Sequence, residues 1–139
     1  MQFDVAIVGA GLVGQAIAAA LSQGANDIRV ALVDPSEPLP AGEGSGVNDY
    51  DLRVSALTAQ SQAFLTDIGA WDLIPHQMLS GYTRMHVWDA EGTGSVTFNA
   101  TDLHVPALGH IVENRQTLAA LNQVTESARS IERLQTAVQ

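Results

Sequence analysis

Apolar positions follow two different spacings along this chain. Phe3 to Val8 is a short, nearly unbroken apolar run rich in valine and isoleucine, the pattern of a strand buried on both faces. Gly9-Ala10-Gly11-Leu12-Val13-Gly14 follows directly, and Gln15 to Ser22 is alanine-rich and strongly helix-forming. Gly24 is placed to end that helix, because glycine tolerates the left-handed backbone of helix ends. Ile28 to Val33 is a second β-type run, closed by Asp34-Pro35. Strand, tight turn, helix and strand within about 30 residues predict a right-handed βαβ unit with parallel strands.

The pattern then changes. Pro35 to Tyr50 holds three prolines and the glycines Gly42, Gly44 and Gly46, and reads as a surface loop. Leu57, Phe64, Leu65 and Ile68 form a helical stripe that Gly69 stops. Tyr82 to Trp88 and Ser95 to Phe98 predict two strands around the turn Glu91-Gly92-Thr93-Gly94. Leu108 to Val112 predicts another strand. Asn114 is a suitable N-cap for a helix with apolar positions Leu118, Leu121, Val124 and Ala128. Ile131 to Gln139 reads as a strand just beginning, with no partner assigned and its apolar edge exposed.

Composition narrows the function classes. The net charge is −9, all six basic residues are arginine, and no basic run exists, so nucleic-acid binding is not expected. Cysteine is absent, which excludes disulfides and thiolate chemistry. His76, His86, His104 and His110 lack metal-ligand spacing, so no metal site is expected. Trp71 and Trp88 are expected as packing residues, and no serine–histidine–acid set is recognisable. Val5 to Leu21 carries no charge, but its glycines and Gln15 make it a poor membrane span. Without a signal-peptide opening the expected location is the cytoplasm, with peripheral contact at the inner face of the membrane still open to it.

Gly9, Gly11 and Gly14 match the dinucleotide fingerprint, and each has its own physical task. Gly9 allows the sharp turn, Gly11 lets a pyrophosphate approach the backbone, and Gly14 permits close helix–strand packing. The N–H groups of Leu12, Val13 and Gly14 at the helix start would face the phosphates. Asp34 lies 20 residues beyond Gly14, where a carboxylate accepts ribose hydroxyls. A 2′-phosphate there would meet a carboxylate with no arginine adjacent in sequence, so NADP is disfavoured while FAD and NAD remain. Arg115 follows the expected cap Asn114 at the start of a predicted helix and Arg53 precedes the Leu57 helix, positions where a cation is misplaced unless an anion is near. Either they share an anionic ligand, or each pairs with a local acid such as Asp51 or Glu113.

Asp4 to Gly14 resembles the opening of the group A flavoprotein monooxygenases. Leu52-Arg53-Val54-Ser55-Ala56-Leu57, Ile68-Gly69-Ala70-Trp71, Met85-His86-Val87-Trp88-Asp89 and Leu108-Gly109-His110-Ile111-Val112-Glu113-Asn114 narrow this further. Together they resemble the ubiquinone-biosynthesis hydroxylases, over residues 3 to about 121. The resemblance implies an α/β, Rossmann-like FAD-binding domain with a parallel sheet, incomplete over 1–139. It also implies that 81–107 is a hairpin segment of an inserted substrate-binding domain. FAD would be the cofactor, NAD(P)H the reductant, and oxygen and a polyprenylated phenol the substrates. Gly9, Gly11, Leu12, Val13 and Gly14 would hold the pyrophosphate and Asp34 the adenosine ribose, although many members carry glutamate there. Arg53 and Arg115 would reach the flavin nucleotide. Catalytic residues are unassigned, and the chain is read as an amino-terminal piece that is inactive alone and holds FAD poorly. The other open reading is a dinucleotide-binding module without redox catalysis.

Overall fold

A computed structural model describes residues 2–24, 28–38 and 50–137; most of the predicted 35–50 loop lies outside them. β1 (Val5–Val8), α1 (Leu12–Ser22) and β2 (Val30–Val33) form the expected βαβ unit. β1 and β2 run parallel with Val5 opposite Val30 and Val8 opposite Val33. The fold is α/β and Rossmann-like. Only β2 is buried on both faces, however. β1 is an edge strand whose burial alternates, and Val8 is 67% exposed, so the expectation of a doubly buried first strand is corrected. Gly24 does not adopt the left-handed conformation either, and among the described glycines only Gly9 and Gly69 do.

The remaining elements are β3 (Val54–Thr58), α2 (Ala59–Asp67), β4 (Ser80–Tyr82), β5 (Arg84–Trp88), β6 (Ser95–Asn99), β7 (Gly109–Glu113), α3 (Asn114–Ser127) and β8 (Ile131–Leu134). Three corrections follow. Leu57 belongs to β3, antiparallel to β7, and the helix starts only after Thr58, whose hydroxyl accepts from the Ser61 N–H at 3.2 Å. The run from Tyr82 to Trp88 is broken at Thr83: Tyr82 pairs with β7, whereas β5 pairs with β6. β8 is not an unpaired strand, since it runs parallel to β2 with Leu32 opposite Arg133, giving the sheet order β1-β2-β8.

α1 lies between two apolar clusters, which explains its alanines. Ala18 packs with Ala10, Val30 and Leu32 on the parallel sheet, while Ala19 faces Leu65, Trp71, Val112 and Leu121. Small side chains on both sides let α3 and the sheet approach one helix closely. The β5–β6 hairpin is a separate two-stranded sheet, with Val87, Trp88, Val96 and Phe98 all exposed. Trp71 is buried as expected of a packing residue, but Trp88 is 67% exposed and stacks on His86 at 5.6 Å. No helix among the described residues is long and apolar enough to cross a membrane.

Candidate functional site

The site is built where β1 hands over to α1. Gly9 turns the chain at φ +99°, a conformation that strains any residue with a Cβ. Its N–H donates to the Val33 carbonyl at 2.8 Å, tying the turn to the end of β2. A Cβ at Gly14 would lie 1.9 Å from the Gly9 carbonyl oxygen, so Gly14 is what brings the helix against the turn. A Cβ at Gly11 would meet nothing within 4 Å. The absence of a side chain at Gly11 therefore serves no internal packing and leaves open space in front of the helix. Gly11 is also the N-cap of α1 and supplies no side-chain cap, and the first turn contains no acid. Among the described residues the first-turn N–H groups of Leu12, Val13 and Gly14 thus have no capping side chain from Gly11 and no acid in their own turn, an arrangement suited to phosphate.

Asp34 stands beside this turn. Its Oδ2 accepts from the Ala10 N–H at 2.7 Å and its Oδ1 from the Ser36 N–H at 2.8 Å. These bonds, the one from Ala10 foremost, hold its carboxyl below the usual carboxylate range against the opposing effect of burial, and the nearby charge of Arg133 adds to them. Each oxygen keeps acceptor capacity for a further donor such as a ribose hydroxyl. A cavity of about 330 Å³ opens here, lined among others by Gly11, Gln15, Asp34, Asn122 and Arg133. The glycine turn, the uncapped helix and the carboxylate fit an adenosine diphosphate moiety.

Gln15, Asn122 and Arg133 line this cavity and were not singled out as site residues in the sequence. Gln15 is 1% exposed: its amide donates to the Ala10 carbonyl at 3.1 Å and to Asn122 Oδ1, and its Oε1 accepts from Thr125 at 2.8 Å. This network pins the glycine turn to α3. Arg133 reaches across from β8 to the Ser36 carbonyl at 3.0 Å. An arginine therefore does stand at the Asp34 cavity, and the premise that disfavoured NADP is corrected: the partner absent in sequence is supplied by the third strand. Only long-range sheet pairing reveals it.

Arg53 and Arg115 are brought to one end of the β3–β7 ladder, where the Arg53 carbonyl accepts from the Asn114 N–H at 2.9 Å. Arg53 is exposed and precedes a strand rather than a helix, so the helix-end argument for it fails. Arg115 does lie in the first turn of α3, whose N-cap is Glu113 rather than the expected Asn114. Its Nε bonds Glu113 Oε2 at 2.6 Å, with Glu113 nearly buried. The local acid pairing is therefore realised at Arg115. Among the described residues no three potential ligands cluster as for a metal.

Set beside known proteins, the chain is 36% identical over 124 residues to the 3-demethoxyubiquinol 3-hydroxylase of Escherichia coli, covering 89% of this chain and 30% of that one. It is 32% identical over 127 residues to the mitochondrial ubiquinone biosynthesis monooxygenase COQ6 of Homo sapiens, covering 90% and 26%. Its homologues are ubiquinone-biosynthesis hydroxylases. The chain spans less than a third of the length of these hydroxylases. No family model matches it. A PqsL variant of P. aeruginosa superposes with a TM-score of 0.65 at 18% identity, covering 95% of this chain and 33% of that one. The p-nitrophenol 4-monooxygenase PnpA of Pseudomonas putida superposes at 0.60 and 16% identity, covering 93% and 30%. The flavin-dependent monooxygenase PieE, solved with FAD and substrate, does so at 0.56 and 14% identity, covering 96% and 23%. At these identities the structural likeness establishes the fold.

Proposed function

We propose that this chain supplies the adenosine–pyrophosphate part of an FAD site in a hydroxylase of the ubiquinone-biosynthesis kind. The carrying observation is the contrast between two glycines. Gly14 is forced by packing, whereas Gly11 is free of any internal constraint and fronts an uncapped helix beside Asp34. Gly11, Leu12 and Val13 would present N–H groups to the pyrophosphate, Gly9 and Gly14 would hold the turn, and Asp34 would accept from the ribose hydroxyls. Arg53 and Arg115, gathered at one ladder end, would approach the flavin nucleotide. FAD supplies the redox chemistry when bound, and this chain's part is binding and orientation.

The names of the relatives, a hydroxylase and a monooxygenase of ubiquinone biosynthesis, support a reaction in which a polyprenylated phenol is hydroxylated with oxygen; NAD(P)H would be the reductant. The 81–107 segment belongs, in this reading, to a substrate-binding unit inserted into the FAD domain 1–139. Its hairpin β5–β6 forms a sheet of its own, which supports that division. In this reading the protein works in the cytoplasm, and an apolar substrate of this kind would bring it to the inner face of the membrane. The test is a calorimetric titration of the purified chain with ADP, the half of FAD that this site would hold, beside FAD itself. Weak saturable binding of ADP is expected, with FAD bound poorly or not at all by this chain alone, and no saturable binding of ADP would refute the assignment.

A further inference from the structure

The Asp34 cavity contains a cation that the adenosine reading does not use. Arg133 projects from β8, the strand hydrogen-bonded to the far side of β2, and lines the same cavity as Asp34, Gly11 and Asn122. Its Nη2 donates to the Ser36 carbonyl at 3.0 Å, and its Nη1 lies 3.5 Å from Asn122 Oδ1. Ser36 in turn donates its N–H to Asp34. The guanidinium thus braces the turn that carries the carboxylate. Among the described residues it makes no contact ion pair, and its Nε is a buried donor without a hydrogen-bond partner. Its charge is balanced only through space, with Asp34 and Glu37 as the carboxylates that line the cavity with it.

We infer that Asp34 and Arg133 together set which substituent the site accepts at the adenosine 2′ position. Asp34 selects a free ribose diol, and Arg133 is a latent donor to a 2′-phosphate. The inference rests on the nucleotide reading above and goes beyond it by assigning a specificity residue. Asp34 accepts hydrogen bonds from a diol and repels a phosphate at close range. With its charge removed, the guanidinium and Glu37 are the formal charges left among the residues lining the cavity, and arginine is well matched to phosphate oxygens. The two side chains would then oppose each other in selectivity while cooperating in structure.

The experiment compares ADP with 2′-phospho-ADP by isothermal titration on wild type, Asp34→Ser, Arg133→Gln and the double variant. Serine keeps one acceptor for the backbone donors, and glutamine keeps a donor for the Ser36 carbonyl. Asp34→Asn serves as second charge-removing variant, and circular dichroism checks folding. Wild type should favour ADP, and Asp34→Ser should shift the ratio of the two dissociation constants towards 2′-phospho-ADP by about tenfold or more. Adding Arg133→Gln should reverse most of that shift. A merely bracing role for Arg133 would weaken both ligands equally and leave the ratio unmoved. If wild type binds ADP but the ratio stays fixed on removal of Asp34, or shifts equally with glutamine at 133, this inference is overturned and the nucleotide site stands. If wild type binds neither ligand, the nucleotide site itself is overturned, and the inference with it.

Discussion

Gly14→Ala and Gly11→Ala differ from wild type by one methyl group each, yet the structure assigns them opposite consequences. At position 14 the new Cβ would lie 1.9 Å from the Gly9 carbonyl oxygen, where contacts under 3.0 Å essentially never occur, so something must move by about 1.1 Å. The obstacle is backbone, not a flexible side chain. Gly9 cannot easily yield, since it is held at φ +99° and its N–H is bonded to Val33 at 2.8 Å. A shift of that size would break this bond, and overpacking in a fixed environment costs about 1–3 kcal/mol. Replacing an interior helical glycine by alanine returns up to about 1 kcal/mol of helix propensity. The net expectation is a loss of roughly 1–2 kcal/mol, seen as a fall in Tm of roughly 3–10 °C. At position 11 no neighbour is met, and φ −76° suits any L-residue, so Gly11→Ala should leave Tm within roughly 2 °C of wild type. Its ADP affinity should nevertheless fall at least about tenfold if the proposed phosphate site is right, because the methyl group would occupy the space that site leaves for phosphate. Differential scanning fluorimetry and titration calorimetry on the two variants decide the matter. A Gly11→Ala protein that binds ADP normally would refute the assignment of this turn to phosphate.

Asp34→Ala removes the acceptor of two backbone N–H groups and should cost roughly 1–2 kcal/mol at pH 7, measured by urea denaturation. Because the folded-state carboxyl titrates below its ordinary value of 3.8, the stabilisation it gives is complete above that pH and lost as pH falls through the folded value. Wild type and variant should therefore converge in stability below about pH 3.8, and a gap unchanged at pH 2 would show that the carboxylate charge is not what stabilises. Arg115→Ala strands the nearly buried Glu113 and should destabilise by roughly 1–3 kcal/mol, with most of the loss recovered in Glu113→Gln/Arg115→Ala. Equal destabilisation in single and double variants would rule out the pair as the cause. A two-stranded sheet is marginal alone, so hydrogen exchange should be faster across β5 and β6 than across β2, and Phe98→Ser should leave global stability within about 0.5 kcal/mol. Slow exchange at residues 84–99 would contradict this.

The βαβ unit was legible because what specifies it is local: both strands are apolar runs, although only β2 is buried on both faces, and the turn glycines lie close together between β1 and the helix. The boundary at Val54–Thr58 was not legible, because Val54-Ser55-Ala56-Leu57-Thr58 does not alternate strictly between apolar and polar, and Leu57 falls in helical spacing with Phe64, Leu65 and Ile68. Only β7, more than 50 residues away, makes them a strand by offering its edge. The break at Thr83 has the same origin. Tyr82 and Arg84 are both β-competent, but Tyr82 is paired with Gly109 while Arg84 is paired with Asn99.

The candidate site divides along the same line, and the division bears on how its specificity is encoded. Gly9, Gly11, Gly14 and Asp34 act through backbone conformation and a single carboxylate, so their spacing alone carries a signal. Gln15 carried none: in the sequence it reads as one polar residue in an apolar stretch, yet its burial at 1% and its bonds to Ala10 and Thr125 fix the glycine turn onto α3. Arg133 is further removed, 97 residues from the Ser36 carbonyl it bonds. Its arrival depends on β8 adding to β2 with Leu32 opposite Arg133, and a register slip of one residue would turn the side chain to the other face of the sheet. The carboxylate proposed to bind ribose is therefore set by local sequence, whereas the cation proposed to oppose it is set by the pairing of a distant strand. If both roles hold, changes in β8 register or composition should alter nucleotide preference while the fingerprint glycines stay untouched.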